Sequence, residues 1–485
     1  MLSDWRFRLF LFFCLTASLA LAQCAGDVSS PQMAADCAAR SFPAQTQATI
    51  DPRHAYTLAE LIDIGEHNNP STRIAWERAK QKADELGIRR SAYFPILAAV
   101  ATFAGERTIS PFPKPLATLG YTTVEAAQVQ PSVTLEYLLF DSGARKARVD
   151  AATAETLAAG ARFIQANQDV AFRVTEAFYK LLTAQERLQA SEETLKTAQT
   201  TQDAAEARLS NGRATLPDVL NARAETSQAV FDRESADGDQ RIARVELAET
   251  IGVEPSPELS IDGQVDAPLP QLLNVSVSDL MDRAFRDRPD LQAQVSEIRA
   301  ASDAVRAAKA EYGPRIGFGG NVAETSLWPY ASQGTLGSAT KTTFSGAFEI
   351  EWKIFDGGAR KHELLSAESK HRETQHEMTE LRDRATREVW SAYIAFTTAV
   401  RKQQASVALL ESANLSYSAS LDAYNFGVKN LIDVVTAEKQ LALARLSSVS
   451  SRSQLLLEAV RVEFVTGNLL RALPPATQPG TPSKP

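Results

Sequence analysis

The sequence predicts a mainly α protein with a minority of β-structure, built as two copies of one element set. Three observations predict it. First, Phe140-Asp141-Ser142-Gly143-Ala144-Arg145-Lys146 recurs as Phe355-Asp356-Gly357-Gly358-Ala359-Arg360-Lys361, and the copies then run in step at an offset of 215 residues. Phe178 meets Tyr393, Gly212 meets Gly427, Leu216 meets Leu431 and Gly252 meets Gly467. Second, each copy carries an apolar period of two, diagnostic of strands, just before a segment of 69 residues (142–210 and 357–425) free of proline. Third, those segments carry apolar residues at sevens: Val174, Leu181, Leu188, Leu195 and Leu209, with Val389, Phe396, Gln403, Leu410 and Tyr424 as counterparts. A seven-residue period means under-wound helices in a coiled-coil arrangement, Gln403 being the exception.

The elements follow in order. Arg6 and Arg8, an apolar run from Leu9 to Leu21 and Ala20-Leu21-Ala22 read as a secretory signal over 1–22, with the mature chain starting near Gln23. Cys24 and Cys37 then sit in an oxidising compartment and are available to pair. Cys24 has an alternative: Leu21-Ala22-Gln23-Cys24 loosely resembles a lipoprotein cleavage box, although Gln23 stands where a small residue is expected. An N-terminal extension occupies 23–55. The first repeat, 56–252, and the second, 276–467, are separated by a linker at 253–275, and a Pro, Thr and Ser-rich tail at 472–485 is expected to be disordered.

Each repeat opens with a capping box, Thr57-Leu58-Ala59-Glu60 and Ser276-Val277-Ser278-Asp279, followed by a short helix. A second helix starts at Asn69-Pro70 and Arg288-Pro289 and stops before Pro95 and Pro314. Upstream of the strands the copies are offset by 219, so four residues of length difference lie between Pro95 and Phe140. Strands are expected at Ile96–Thr108 and Ile316–Thr325. Their partners place Val129, Pro131, Val133, Leu135, Tyr137 and Leu139 on one face of the first copy, and Phe344, Phe348, Ile350, Trp352 and Ile354 on one face of the second. Gly/Pro/Ser-rich loops at 110–120 and 327–338 make one hairpin per copy. Asp141 and Asp356, beside Gly143 and Gly358, are placed to cap the long helices at the strand-to-helix junctions. As helix, 69 residues reach about 100 Å.

The far ends turn at Leu209-Ser210-Asn211-Gly212-Arg213-Ala214-Thr215-Leu216-Pro217-Asp218 and Tyr424-Asn425-Phe426-Gly427-Val428-Lys429-Asn430-Leu431-Ile432-Asp433. Gly212 and Gly427 suit the left-handed position after a helix, Thr215 and Asn430 the next N-caps, and Asp218 and Asp433 the N3 carboxylates of capping boxes. Such structural needs do not explain Leu216 and Leu431, apolar residues expected to be exposed at a tip and so to form a docking surface.

Composition excludes several functions. The formal charge is −8, or −9 once Asp4, Arg6 and Arg8 leave with the signal, and an acidic exported chain is a poor nucleic-acid ligand. There is no GxxxxGK[ST] phosphate loop, no HExxH and no Cys pair with zinc spacing, so neither an enzyme nor a resident metal or cofactor is expected. His362, His371 and His376 read as exposed helix histidines. Only Met33, Met281 and Met378 remain after the signal, which disfavours a methionine-lined copper route. No later stretch is apolar enough for a membrane helix, and mean hydropathy is −0.20, so any crossing is by strands. Four strands have two open edges, which lipid forbids, whereas three chains give twelve strands, an allowed even number. The fold expected is therefore an internally duplicated helical coiled-coil barrel plus four strands per chain in a trimeric twelve-stranded transmembrane β-barrel. The alternatives are half-buried hairpins of a soluble domain, or a structural periplasmic coiled-coil protein without a pore.

The duplication, the FD-S/G-GARK junctions and the Gly-x-x-x-Leu-x-Asp-Val tips resemble the TolC-type outer membrane efflux protein family from about Tyr56 to about Leu470. The resemblance implies a homotrimeric channel of the outer membrane extending into the periplasm. Its partners would be a periplasmic adaptor and an inner-membrane pump or ABC transporter, in an efflux or type I secretion system. It implies that Gly212, Leu216, Gly427 and Leu431 contact the adaptor and that Asp433 forms the acidic constriction of a closed periplasmic end. Members with a second acidic residue three positions later have Thr436 here, so a weaker ring is expected. Lys429 falls where basic residues latch the closed state to a neighbouring helix; a solvated lysine is the alternative.

Overall fold

The computed structural model describes residues 50–469, apart from residue 52 and segments 112–119, 256–258, 263–268, 270–275, 332–333 and 336. The signal, the extension up to residue 49 with Cys24 and Cys37, and the tail lie outside the described residues.

Copy one runs β1 (Ala55–Tyr56), α1 (Leu58–Asn68), α2 (Pro70–Ser91), β2 (Ile96–Pro111), β3 (Tyr121–Phe140), α3 (Ala144–Ser210) and α4 (Leu216–Thr250). After β4 (Ser260–Ile261), copy two runs α5 (Val277–Asp287), α6 (Pro289–Ala310), β5 (Arg315–Ala331), β6 (Gly334–Thr335), β7 (Ala339–Glu351), α7 (Ala359–Asn425) and α8 (Leu431–Val465). The capping boxes form as their residues dictate: the Thr57 and Ser276 hydroxyls accept from the amides of Glu60 and Asp279, whose carboxylates accept from the Thr57 and Ser276 amides. Asn69 caps α2 with its side chain, and Pro70 and Pro289 occupy N1 of α2 and α6, where no amide is needed.

The strands order as β2-β3-β5-β7, all neighbours antiparallel, with the two-residue β6 beside β5. Ile96 pairs with Glu136, and its counterpart Arg315 pairs with Glu351. Both hairpins share one register as far as Thr108↔Val124 and Leu327↔Ala339, so the four-residue length difference falls between Thr108 and Val124. The strands, 13 to 20 residues, are longer than expected and reach into the segments read as loops, to Pro111 and Ala331. Ladder pairing supplies the backbone partners that Ser, Gly and Pro propensity argued against. Pro131 pairs with Ala101 on β2, and the β3–β5 ladder omits Gln130 and Pro131, as a residue without an amide requires. In the second copy Trp352 and Ile354 lie beyond β7, and the Trp352 indole donates to the Tyr312 carbonyl at 3.0 Å. The pair β1–β4, parallel, ties the start of copy one to the inter-repeat linker; two-residue strands leave no periodic signal.

The long helices begin two residues later than expected. Gly143 and Gly358 are the N-caps, at φ +93° and +91°, a conformation that side chains disfavour. Asp141 and Asp356 act from just upstream, accepting from the Arg145 and Arg360 amides. The bond from Arg360 to Asp356 holds that carboxyl below its usual range. Helix α3 packs on α2, α4, α6 and α8, and α7 packs on α6 and α8.

The core follows the heptads. Val170, Val174, Phe178 and Leu181 meet Leu61, Leu247 and Ile251, while Val389, Phe396 and Val400 meet Leu280, Leu455 and Val462. Each fully buried large side chain contributes roughly 1.5–3 kcal/mol. Gln403, the exception in the seam, is buried, and its carbonyl accepts from Ser451 at 2.6 Å, so a polar pair replaces an apolar knob. Alanines pack α3 against α6, as at Ala158, Ala161 and Ala293.

Candidate functional site

The two helical turns at the far end of the long helices come together. In the first, Gly212 takes φ +71°, its amide and that of Arg213 closing on the carbonyls of Leu209 and Arg208. Thr215 and Asp218 form the reciprocal box: the carboxylate accepts from the Thr215 hydroxyl at 2.7 Å and its amide at 2.9 Å. These two bonds hold the Asp218 carboxyl below its ordinary range. In the second turn Gly427 takes φ +79°, and the Asn430 side chain accepts from the Asp433 amide at 3.0 Å. The return bond is not made, so the expected box at Asp433 is half formed and its carboxylate is exposed. Asparagine lacks the β-carbon hydroxyl through which Thr215 also binds its partner.

Leu216 is exposed, as expected, but Leu431 is only 2% exposed. It packs with Ala205, Val219, Ala222, Tyr424 and Val434 in a small core joining the two turns. The apolar surface of the second tip is instead Phe426, Val428 and Ile432, all exposed. The expectation failed because the two turns differ in their neighbours: α8 lies against α3, whereas the outer side of α4 is open. Arg208 clasps the turns, donating to the carbonyls of Tyr424 and of Asn425, the latter at 2.7 Å, with its guanidinium 4.0 Å from the Tyr424 ring centroid. Sequence reasoning missed it. Its counterpart in copy two is Ala423, so a break in the repeat was the available signal. Lys429, in the turn, donates to Ser420 Oγ at 3.3 Å, a partner on the preceding helix α7.

Two turns into α8, Glu438 is buried, with Thr201 of α3 donating to it at 3.1 Å. Burial pushes its pKa up to about 7 against that hydrogen bond; Glu225 raises it further, and Lys439 and Arg445 lower it. Half-buried Tyr417 on α7 is likewise raised by burial. Among the described residues no group of three His, Cys, Asp or Glu side chains could hold a metal ion, and no helix is long and apolar enough to cross a membrane. The tip thus presents exposed Leu216, Phe426, Val428 and Ile432, the exposed Asp433 carboxylate, and Arg208 bonded across the two turns.

The model of the family described as outer membrane efflux protein matches residues 61–253 and again 280–468, one match per copy. Protein CyaE of Bordetella pertussis is 26% identical over 418 residues, 86% of this chain and 85% of that protein. Outer membrane protein OprJ of Pseudomonas aeruginosa is 26% identical over 400 residues, 82% and 81% of the two chains. Among solved structures, a membrane protein from Pseudomonas aeruginosa superposes with a TM-score of 0.73 at 24% identity, covering 84% of this chain and 90% of that one.

Proposed function

The chain belongs to the outer membrane efflux protein family, and from that premise we propose that three copies form one outer-membrane channel that reaches into the periplasm. The channel is the passive conduit of a tripartite efflux or type I secretion system in a Gram-negative-type bacterium. The observation that carries this reading is a four-stranded sheet with free edges at β2 and β7, continued directly by helices of 67 residues. The sheet edges require partners in lipid, and three-fold closure supplies them while lining up the helices as a tube about 100 Å long.

A periplasmic adaptor meets the tips through Leu216, Phe426, Val428 and Ile432, on turns shaped by Gly212 and Gly427. Leu431 serves from inside, by holding the two turns together. An inner-membrane pump or ABC transporter supplies the energy, since a conduit of this kind does no chemistry of its own. Asp433 carboxylates from three chains surround the axis at the closed end, where they repel one another and attract cations. Lys429 stands beside them and latches the closed end once chains assemble.

The test starts with fractionation and the mass of the mature protein in mild detergent. An outer-membrane trimer is expected, with low conductance in planar bilayers that rises in Asp433→Lys. A soluble periplasmic monomer would overturn the reading and leave a coiled-coil protein without a pore.

A further inference from the structure

The two copies differ in charge at the faces where helices from different copies meet. Within the chain α6 lies along α3, and Arg162 of α3 pairs with Glu297 of α6. Carried across the repeat, by 215 for α3 and 219 for α6, these positions become Glu377 on α7 and Arg78 on α2. The charges are exchanged. Both residues are exposed; Arg78 makes no ion pair among the described residues, and Glu377 accepts one hydrogen bond, from Gln294 at 3.1 Å.

The apolar residues repeat the argument. Ala293 and Ala307 of α6 are buried, yet their counterparts on α2, Ile74 and Ile88, are 52% and 69% exposed. Across α3 and α6, Asp150 pairs with Arg306 at 3.3 Å. The counterpart of Asp150 on α7 is Leu365, 46% exposed, and that of Arg306 is Gly87, next to Ile88. The free strand edges β2 and β7 lie at the same two ends of the chain's order as α2 and α7.

In the trimer proposed above α2 of one chain faces α7 of the next, as α6 faces α3 within the chain, and we infer that the inverted pair Arg78–Glu377 is a pairing code that selects this contact. A neighbour's α2 lying on α3 would set Arg78 against Arg162. Another chain's α6 lying on α7 would set Glu297 against Glu377. Only the arrangement with α6 on α3 and α2 on α7 pairs opposite charges at both contacts. Such solvated pairs select partners more than they stabilise them, and the isoleucines and Leu365 supply the burial. A head-to-tail contact of this kind closes into a ring or runs on as a fibre, so excluding wrong pairings matters more here than in a two-fold dimer. The inference rests on the trimeric reading above.

The experiment places Arg78→Cys and Glu377→Cys together in the full chain and oxidises it in its membrane, with the unsubstituted protein as background for Cys24 and Cys37. Disulfide-linked species that stop at the mass of three chains are expected, whereas Arg162→Cys with Glu297→Cys should link within a chain and leave the mass unchanged. In parallel, Arg78→Glu or Glu377→Arg alone should lower the temperature at which the trimer dissociates, and Arg78→Glu with Glu377→Arg should restore it. A trimeric wild type whose cysteine pair fails to link, or whose single reversals dissociate like wild type, overturns the inference and leaves the channel reading standing. A monomeric wild type overturns both.

Discussion

Replacing Glu438 with Gln isolates the energetic effect of holding a carboxyl group inside the tip bundle. The group is 6% exposed, and its pKa stands at about 7 against an ordinary 4.5 because burial disfavours the charged form. That difference of two and a half units corresponds to roughly 3 kcal/mol at 1.36 kcal/mol per unit. For an acid whose pKa is raised on folding, the native state holds the proton more tightly. The contribution to stability is therefore fully present below about pH 4.5, declines as pH rises, and is lost once pH passes about 7. Glutamine keeps the shape and an oxygen that can accept from Thr201 at the place where Glu438 accepts now, and it does not titrate. Hydrogen exchange of the amides of 431–445, corrected for intrinsic rates, reads the local opening free energy without requiring reversible unfolding of the whole assembly. Between pH 5 and pH 8 the wild-type tip should lose up to about 3 kcal/mol of opening free energy that Glu438→Gln retains. Equal pH dependence in the two proteins would refute the assignment of the loss to Glu438.

Further outcomes are expected at the turns. Gly467 sits at φ +76°, and an added Cβ would lie 2.8 Å from the Arg288 amide and the Asp287 carbonyl, so Gly467→Ala should cost about 3 kcal/mol from strain and clash together. Gly212, at φ +71° with open space around it, should cost only about 1 kcal/mol in the same substitution; thermal melts of the two variants, followed by helicity, check the ranking. Thr215→Ala removes the cap on α4 and should raise hydrogen exchange at 216–220 by about 1 kcal/mol of opening. Because the same box holds the Asp218 pKa low, its stabilisation is present above the ordinary carboxylate range and is lost as pH falls through the depressed value, so this difference should shrink in acid.

Much of the architecture was legible because its causes are local. Capping boxes, proline stops, a change of period from helix to strand and glycine after a helix act within a few residues, and duplication doubled every such signal. The strand registers follow the offsets 219 and 215, so even the place of the length difference could be narrowed from the sequence. Strand length could not, since residues such as Pro111 and Pro329 oppose extension and only the pairing of β2 with β3 and of β5 with β3 overrides them.

The sequence by itself determined the duplicated helix, hairpin and long-helix plan, the turn chemistry at Gly212, Thr215, Asp218, Gly427 and Asn430, and the family. Tertiary structure alone decided which of two equivalent leucines faces solvent. Leu216 and Leu431 occupy the same register of the same motif, but α8 is covered by α3 where the outer side of α4 is not, so one leucine is exposed and the other is core. The clasp by Arg208 and the burial of Glu438 have the same origin. Both depend on residues more than 200 positions away, and no local pattern encodes which distant helix a side chain will meet.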